Sequence, residues 1–127
     1  MDFTDYLADR LVQATVRNVV WTSPEKVYLA LYTSDPTKAG YSAGEVSAPS
    51  YNRQEITFTA PLDGVSTNAN QIDFSTATSN WGNVGWVSIM DKESGGFMLY
   101  FAGLDDPKTI LSGDQFKIDA GKLNLTL

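Results

Sequence analysis

Two close pairs of carboxylates, Asp91 with Glu93 and Asp105 with Asp106, are the residues whose types and spacing first suggest chemistry. Carboxylate oxygens are the ligands that Ca²⁺ prefers in proteins. Neither pair lies in an EF-hand loop, and both fall where the sequence predicts a turn, in which an aspartate usually hydrogen-bonds to its own backbone. We therefore expect these carboxylates to be turn residues, and we expect no bound metal ion.

The sequence contains neither histidine nor cysteine, and this restricts enzymatic chemistry. Histidine is the commonest general base near neutral pH and the commonest metal ligand, and cysteine is needed for thiolate sites and thiol nucleophiles. A glycoside hydrolase needs two carboxylates across a cleft, but among 15 acidic residues some pair satisfies this by chance. The glycines do not form a nucleotide-binding loop. We expect a protein with no catalytic residues and no cofactor.

The formal net charge is −6, and lysine and arginine do not cluster anywhere in the chain. Binding to a phosphate backbone requires a basic surface, so we expect no nucleic-acid partner. The N-terminus is acidic where a secretory signal would be basic, and no apolar stretch approaches the roughly 20 residues that span a bilayer. The sequence therefore predicts neither export through a signal of its own nor membrane insertion.

The aromatic residues that could form a platform for stacking sugars are Trp81, Trp86, Tyr100, Tyr41 and Tyr51. Trp86 and Tyr100 lie in predicted strands, where a place in the core or on a facing strand is favoured. Residues 37–51 are rich in Gly, Ser, Ala and Pro and are predicted to form a long exposed loop. Tyr41 and Tyr51, in or beside this loop, are the better candidates for exposed contacts, because tyrosine provides contact area at a low entropic cost.

One amphipathic helix is predicted at residues 3–18, with Asp2 as its N-cap. Its apolar stripe consists of Phe3, Leu7, Leu11 and Ala14. This stripe packs either on the rest of the same chain or on a neighbouring subunit, because both kinds of contact use the same apolar face. We assign residues 1–20 to this helical segment, for attachment or packing, and residues 21–127 to a β domain.

After Pro24 the apolar pattern changes from helical spacing to alternation, which indicates β-strands. The predicted strands are 27–32, 53–59, 71–74, 84–90, 97–102, 109–111, 116–118 and 123–127. Strand 27–32 is apolar throughout, as in a strand buried on both faces, and 84–90 with 97–102 is predicted to form a hairpin. About eight short strands indicate a mainly β fold, a single antiparallel β-sandwich of jelly-roll or immunoglobulin-like type preceded by the N-terminal α-helix. The residues expected to be buried are Leu29, Leu31, Ile56, Phe58, Trp86, Phe116 and Ile118.

Several short motifs follow one another in an order that is distinctive as a set. They are Val27-Tyr28-Leu29-Ala30-Leu31-Tyr32-Thr33-Ser34-Asp35-Pro36, Gly44-Glu45-Val46, Tyr51-Asn52-Arg53-Gln54, Ile56-Thr57-Phe58, Asn80-Trp81-Gly82-Asn83-Val84, Ala102-Gly103-Leu104, Pro107-Lys108-Thr109-Ile110 and Ser112-Gly113-Asp114. Together they resemble the small virion proteins of tailed bacteriophages that are called tail fibre or tail-fibre-like proteins. The resemblance covers nearly the whole chain, and it implies a structural role without catalytic residues.

From this resemblance we expect a tail-fibre or tail-associated component of the virion, assembled in the host cytoplasm, that contacts other virion proteins. The alternatives are a capsid decoration or head-fibre protein and, from another class, a carbohydrate-binding module that recognises a host surface glycan. Repetition about a symmetry axis multiplies weak contacts, so a homo-oligomer is expected, with a trimer favoured. The candidate interface residues are Phe3, Leu7, Leu11, Tyr41 and Tyr51.

Overall fold

Nine β-strands and one α-helix form the fold in a computed structural model that describes residues 1–127. In chain order they are β1 (Asp2–Phe3), α1 (Asp5–Val16), β2 (Val27–Tyr32), β3 (Gln54–Ile56), β4 (Val65–Thr67), β5 (Ile72–Asp73), β6 (Gly82–Met90), β7 (Met98–Ile110), β8 (Lys117–Ile118) and β9 (Asn124–Thr126). The mainly β class and the single N-terminal helix are as predicted. Helix α1 is shorter than predicted, and β1 and β4 were not predicted at all.

The start of helix α1 differs from the prediction because the first residues extend a sheet. Asp2 and Phe3 pair with β7, so they are not available to the helix. Thr4 is the N-cap in place of Asp2, and its side-chain oxygen accepts a hydrogen bond from the Leu7 N–H at 3.3 Å. The chain leaves the helix at Asn18, whose φ of 56° lies in the left-handed region that asparagine tolerates.

Five strands form one antiparallel sheet in the order β1-β7-β6-β2-β3. Strand β2 lies inside this sheet, and successive side chains of a strand point to opposite faces. Leu29 and Leu31 join the larger apolar cluster on one face, whereas Ala30 and Tyr32 join a smaller cluster on the other. The prediction that this strand is buried on both faces is confirmed.

The hairpin of β6 and β7 is also confirmed, but β7 is longer than predicted. Residues 109–110 pair with the start of β6, so they belong to β7 and do not form a separate strand. The register shifts between Val84 and Trp86, where the residues of β7 from Leu104 to Pro107 bulge out of the ladder. Trp86 lies opposite Gly103, and a Cβ at Gly103 would lie 3.4 Å from the Trp86 ring.

Two separate antiparallel ribbons, β4–β9 and β5–β8, lie outside the five-stranded sheet. Residues of and beside the ribbons, including Ile72, Phe74, Phe116 and Leu123, share the larger apolar cluster with one face of the sheet. Because the ribbons are not hydrogen-bonded to each other, they do not make a continuous second sheet. The antiparallel β class of the prediction is confirmed, whereas the strand pairing does not show a sandwich of jelly-roll or immunoglobulin-like type.

The interior follows the predicted residues only in part. Leu29, Leu31, Ile56 and Phe116 are buried as expected. The prediction is wrong for Phe58, Trp86 and Ile118, which are half-buried at the margins of the two clusters. Phe58 lies beyond the end of β3, and Ile118 is the last residue of β8, so both lie where a short strand ends. Trp86 lies inside β6 and packs beside the smaller cluster on the other face of the sheet.

Candidate interaction surface

The N-terminal residues that were predicted to form an interface occupy three different environments. Phe3 is 39% exposed, and Leu11 is half-buried. Leu7 is 2% exposed and therefore lies inside the fold, where no partner can reach it. Ala14, the next member of the stripe, is exposed, so the helix loses its contact with the sheet along its length. The first half of α1 packs on its own chain, whereas the second half does not.

The first residues of the chain are fixed to strand β7 and to the turn that precedes it. The Thr4 N–H donates to the Leu99 carbonyl at 3.0 Å, and the Thr4 hydroxyl donates to the Met98 carbonyl at 2.6 Å. The ring of Tyr6 stacks on Phe97, with centroids 4.3 Å apart and an angle of 1° between the planes. These contacts hold the first turn of the helix against the hairpin.

Four valines beyond this anchor, Val12, Val16, Val19 and Val20, are exposed to solvent. Val16 is 76% exposed at the end of the helix, and Val20 is 89% exposed. Every hydrogen bond outside the helix ladder in residues 12–25 is made within residues 11–19. A segment with apolar side chains in water and no polar tie to the sheet is the surface of this molecule most suited to a protein contact.

The segment 37–51 is not the free loop that was predicted. Glu45 forms an antiparallel bridge with Tyr32, and the Val46 N–H donates to the Leu31 carbonyl at 2.9 Å. Val46 itself is buried, so this part of the segment continues the sheet beside β2. The most prominent exposed side chain of the segment is Tyr41, which is 65% exposed.

Tyr51 was expected at the surface, and that expectation is wrong. Its ring stacks on Phe74 with centroids 6.0 Å apart and meets the edge of Trp81 at 5.5 Å. Its hydroxyl accepts from the Leu31 N–H at 3.0 Å and donates to a Glu45 carboxylate oxygen at 2.7 Å. The fold uses Tyr51 as an internal support because both the ring and the hydroxyl find partners inside.

Glu45, Tyr51 and Arg53 form a buried polar cluster, here called the Arg53 network. Both carboxylate oxygens of Glu45 accept from Arg53, through Nε and a terminal nitrogen, each at 2.8 Å. The other terminal nitrogen of Arg53 donates to the carbonyls of Lys92 and Gly95 at 2.8 and 2.7 Å. Arg53 is 9% exposed, and its charge-assisted hydrogen bonds join the 37–51 segment to the β6–β7 turn.

The sequence does not reveal this network. Glu45 and Arg53 belong only to short motifs, Tyr51 is predicted to make exposed contacts, and nothing in the sequence shows that Arg53 reaches a turn about 40 positions away along the chain. The available signal was an acid and an arginine on either side of a tyrosine in a weakly charged region. Such a pattern predicts an ion pair between the acid and the arginine, but it does not show that the pair is buried.

Burial and the neighbouring Glu45 charge raise the pKa of Tyr51 well above the ordinary tyrosine value of 10.0. Burial also raises the pKa of Tyr32, although its hydrogen bond from Ser88 acts in the opposite direction. The hydrogen bonds to Glu45 raise the pKa of Arg53, which keeps the guanidinium charged. The network is therefore stable as a neutral phenol beside an ion pair.

This arrangement predicts an alkaline limit to stability. In the unfolded chain Tyr51 ionises near pH 10, whereas the folded protein holds the proton to a higher pH. Its contribution to stability is therefore complete below pH 10 and is lost as the pH rises towards the folded pKa, with a slope of up to about 1.4 kcal/mol per pH unit. Urea unfolding from pH 8 to 11 measures this slope. Tyr51→Phe should make the slope shallower, and an unchanged slope would contradict the assignment.

The carboxylates that first suggested metal chemistry have other roles. One Asp91 oxygen accepts from the Phe97 N–H at 2.7 Å and closes the β6–β7 turn. Asp106 lies 3.4 Å from Lys108 at the surface. No group of three carboxylates comes together in a way that could hold a metal ion.

The aromatic side chains do not form a stacking platform for sugars. Trp81 is buried, and Trp86 and Tyr100 are half-buried. Tyr51 packs its ring against Phe74 and Trp81. Of the five aromatic residues considered for sugar stacking, only Tyr41 presents a largely exposed ring.

A family model described as "Podophage GP4 fiber I protein gp80" matches residues 2–126. The chain belongs to this family. The match begins within β1 and ends within β9, so it includes both the N-terminal helix and the Arg53 network of this fiber I family member. It confirms the resemblance to phage tail-fibre-like proteins. No curated protein matches the chain.

The helix α1 of this fiber I family member is too short and too polar to cross a bilayer.

The candidate interaction surface is formed by exposed valines of the helix and of the segment that follows it.

Proposed function

We propose that this protein is a non-catalytic structural component of a tailed bacteriophage virion, associated with the tail. The observation that carries the proposal is the match of nearly the whole chain to a phage fibre family. The missing histidine and cysteine support the non-catalytic part, because the usual general base and thiol nucleophile are absent from the sequence. A head-fibre position on the capsid is the alternative within this proposal.

The protein acts, in this proposal, through contacts with other virion proteins and with copies of itself, with a trimer favoured. The exposed valines supply the contact, since they are apolar side chains in a segment that the monomer leaves uncovered. A small contact holds weakly by itself, but copies arranged about an axis act together and raise the effective concentration. In this proposal the contacts with copies and with other virion proteins are made by this surface and not by a catalytic site.

Recognition of a host glycan is a weaker proposal for the exposed tip at Tyr41. One exposed tyrosine, 65% accessible, gives a single stacking surface. Binding of purified protein to host cells would support this role, and binding only to other virion proteins would support the structural one.

A charge placed on the exposed valines should prevent incorporation into particles without unfolding the protein. Val16→Asp changes a side chain that is 76% exposed, so the free energy of unfolding should change by less than about 1 kcal/mol. We expect the amount of protein in purified particles to fall at least tenfold, because an unpaired carboxylate in an apolar contact is costly. Immunoblotting of particles against purified protein standards measures this.

Leu62→Asp is the matched control. Leu62 is also 76% exposed but lies beside β4 in the β4–β9 ribbon. This variant should be incorporated normally. Normal incorporation of Val16→Asp, or loss of Leu62→Asp alone, would contradict the proposed surface. Point variants are sharper than deletion of residues 1–20, because the deletion also removes the buried Leu7 and takes strand β1 away from the sheet.

A further inference from the structure

The N-terminal arm, defined as residues 1–16, behaves as a separate piece bound to the sheet. Its only strand contact is the antiparallel pairing of β1 with Tyr100 and Phe101 of β7. Its helix touches the sheet through β7. Apart from one bond from the Asp5 N–H to the Lys38 carbonyl, its hydrogen bonds to the body of the protein go to Met98, Leu99 and their β7 neighbours. The arm is thus docked mainly on the edge of β7, with further contacts from Phe3, over whose ring Lys38 lies at 5.9 Å, and from Met1, which packs against the larger apolar cluster.

The connecting segment, residues 17–25, joins this arm to the body without regular structure. All of its residues are exposed except Trp21 and Pro24, which are half-exposed. Its only hydrogen bonds run back to Gln13 in the arm. Nothing polar fixes the path of this segment over the protein surface.

The connecting segment is long enough to carry the arm to another molecule. Nine residues extend to at most about 30–32 Å. A domain of this length has a radius of gyration of roughly 14 Å, so this reach is comparable with its diameter. The contacts that the arm makes with β7 are the same whether the two belong to one chain or to two copies, because every copy carries both the arm and the edge.

The exposed valines favour docking of the arm on a second copy over docking on its own chain. Val12, Val16, Val19 and Val20 lie in the outer part of the arm and in the connecting segment, and the monomer leaves all four in water. When the arm crosses to a sister subunit, this part of the chain must pass between the two bodies, where apolar side chains become covered. Exchange of the arm keeps its contacts with β7 and also buries the valines that the monomer leaves exposed.

From these observations we propose that residues 1–16 of one subunit dock on β7 of a second copy, so that the copies are joined in a closed ring by exchanged arms. This inference rests on the homo-oligomer in the proposed function and deepens it, since it names the segment and the edge that join the copies. Strand β1 of one chain then completes the sheet of the next.

A disulfide between β1 and β7 tests the exchange, since the chain contains no cysteine of its own. Thr4 is hydrogen-bonded to Leu99, so the neighbouring Phe3–Tyr100 pair is a non-hydrogen-bonded pair of the antiparallel ladder. Its Cα atoms are about 4.5 Å apart, which is within the range for a disulfide. In the variant Phe3→Cys with Tyr100→Cys, oxidation should give covalent oligomers on a non-reducing denaturing gel.

The matched control is Val65→Cys with Thr126→Cys in the β4–β9 ribbon. This pair is non-hydrogen-bonded as well, because Leu127 and Gly64 form the neighbouring bond. It lies within one body, so oxidation should give only single chains. Covalent oligomers in the control would mean that intermolecular disulfides form without exchange, and the gel result would then count against the proposal.

A second measurement needs no substitution. In oligomers assembled from isotope-labelled and unlabelled chains, isotope-filtered NOEs should connect Tyr6 of one chain to Phe97 of another, because these rings stack at 4.3 Å. The exchange is overturned if the NOEs occur only within chains, if oxidation of Phe3→Cys with Tyr100→Cys yields only single chains, or if the protein is monomeric. The amount of protein in purified particles tests the proposed function independently of the exchange. If the protein is found in particles but the NOEs are only intrachain, the proposed function holds and the exchange is wrong. If the protein is absent from particles, the proposed function is wrong whatever the NOEs show.

Discussion

Replacing Arg53 with leucine should lower the free energy of unfolding by about 3–5 kcal/mol, the usual result of removing one partner from a buried ion pair. The substitution leaves the Glu45 carboxylate beside Tyr51 without its counter-charge. It also leaves the carbonyls of Lys92 and Gly95 without the donor that now lies 2.8 and 2.7 Å away. A half-buried carboxylate and two carbonyls of the β6–β7 turn therefore lose their partner in one change.

Urea unfolding followed by tryptophan fluorescence measures this loss. The matched control is Lys26→Ala, which removes an ion pair with Glu55 at 3.5 Å whose side chains are 60% and 47% exposed. A pair in water contributes about 0–1 kcal/mol, so the control should change little. Adding Glu45→Leu to Arg53→Leu should restore part of the stability, since no unpaired charge then remains. Equal losses for Arg53→Leu and Lys26→Ala would contradict the role of the network.

The Arg53 network also connects the stability of the fold to the shape of its surface. Gly95 and Gly96 have φ values of 66° and 74°, which most side chains avoid, so the β6–β7 turn has a special conformation. Arg53 holds this turn through the Gly95 carbonyl. The same turn leads to Phe97, on which Tyr6 of the N-terminal arm stacks. Loosening the network should therefore loosen the docking edge of the arm.

The features that could be predicted from the sequence are those determined by neighbouring residues. Strand β2 is apolar at every position, and a strand of this kind is stable only with both faces covered. The β6–β7 hairpin follows from two apolar runs separated by polar and glycine residues. Both were predicted correctly because short-range pattern determines them.

The features that were missed depend on contacts between distant parts of the chain. Asp2 is a good N-cap by type, but pairing of Phe3 with Tyr100 takes these residues into the sheet and moves the cap to Thr4. Tyr51 is at the end of a loop-like segment, yet its ring packs on Phe74, 23 positions later. Local propensity is overridden in both places by tertiary packing, which a single sequence does not display.

The residues chosen from the sequence for an N-terminal interface differ from those that the structure exposes. The N-terminal segment was chosen for the stripe of Phe3, Leu7 and Leu11, and the inner part of that stripe is used within the chain. The exposed valines of the helix, Val12 and Val16, lie outside that stripe. An amphipathic pattern shows that a helix packs on something, but it does not show how far along the helix the packing extends.

Truncating Phe74 to alanine should destabilise the protein by about 3–5 kcal/mol, the cost of removing a fully buried phenylalanine. Phe74 is 1% exposed and directly follows β5, and its ring lies 5.7 Å from Phe116 and 6.4 Å from Trp81. Phe74 lies where the β5–β8 ribbon, the rings of Trp81 and Phe116 and the five-stranded sheet meet. The cavity that the substitution leaves therefore cannot be filled by movement of one neighbour alone.

Phe97→Ala is the matched control for this prediction. Phe97 is 56% exposed and touches a single aromatic neighbour, Tyr6, so its truncation should cost about 0.5–1.5 kcal/mol. The two variants remove the same atoms, and the difference between their unfolding midpoints in urea therefore reports burial. If the ribbons were only loosely attached to the sheet, the site would collapse around the missing ring and Phe74→Ala would cost no more than Phe97→Ala. A loss at least twice as large at Phe74 is expected, because the ribbons and the sheet share one closely packed interior.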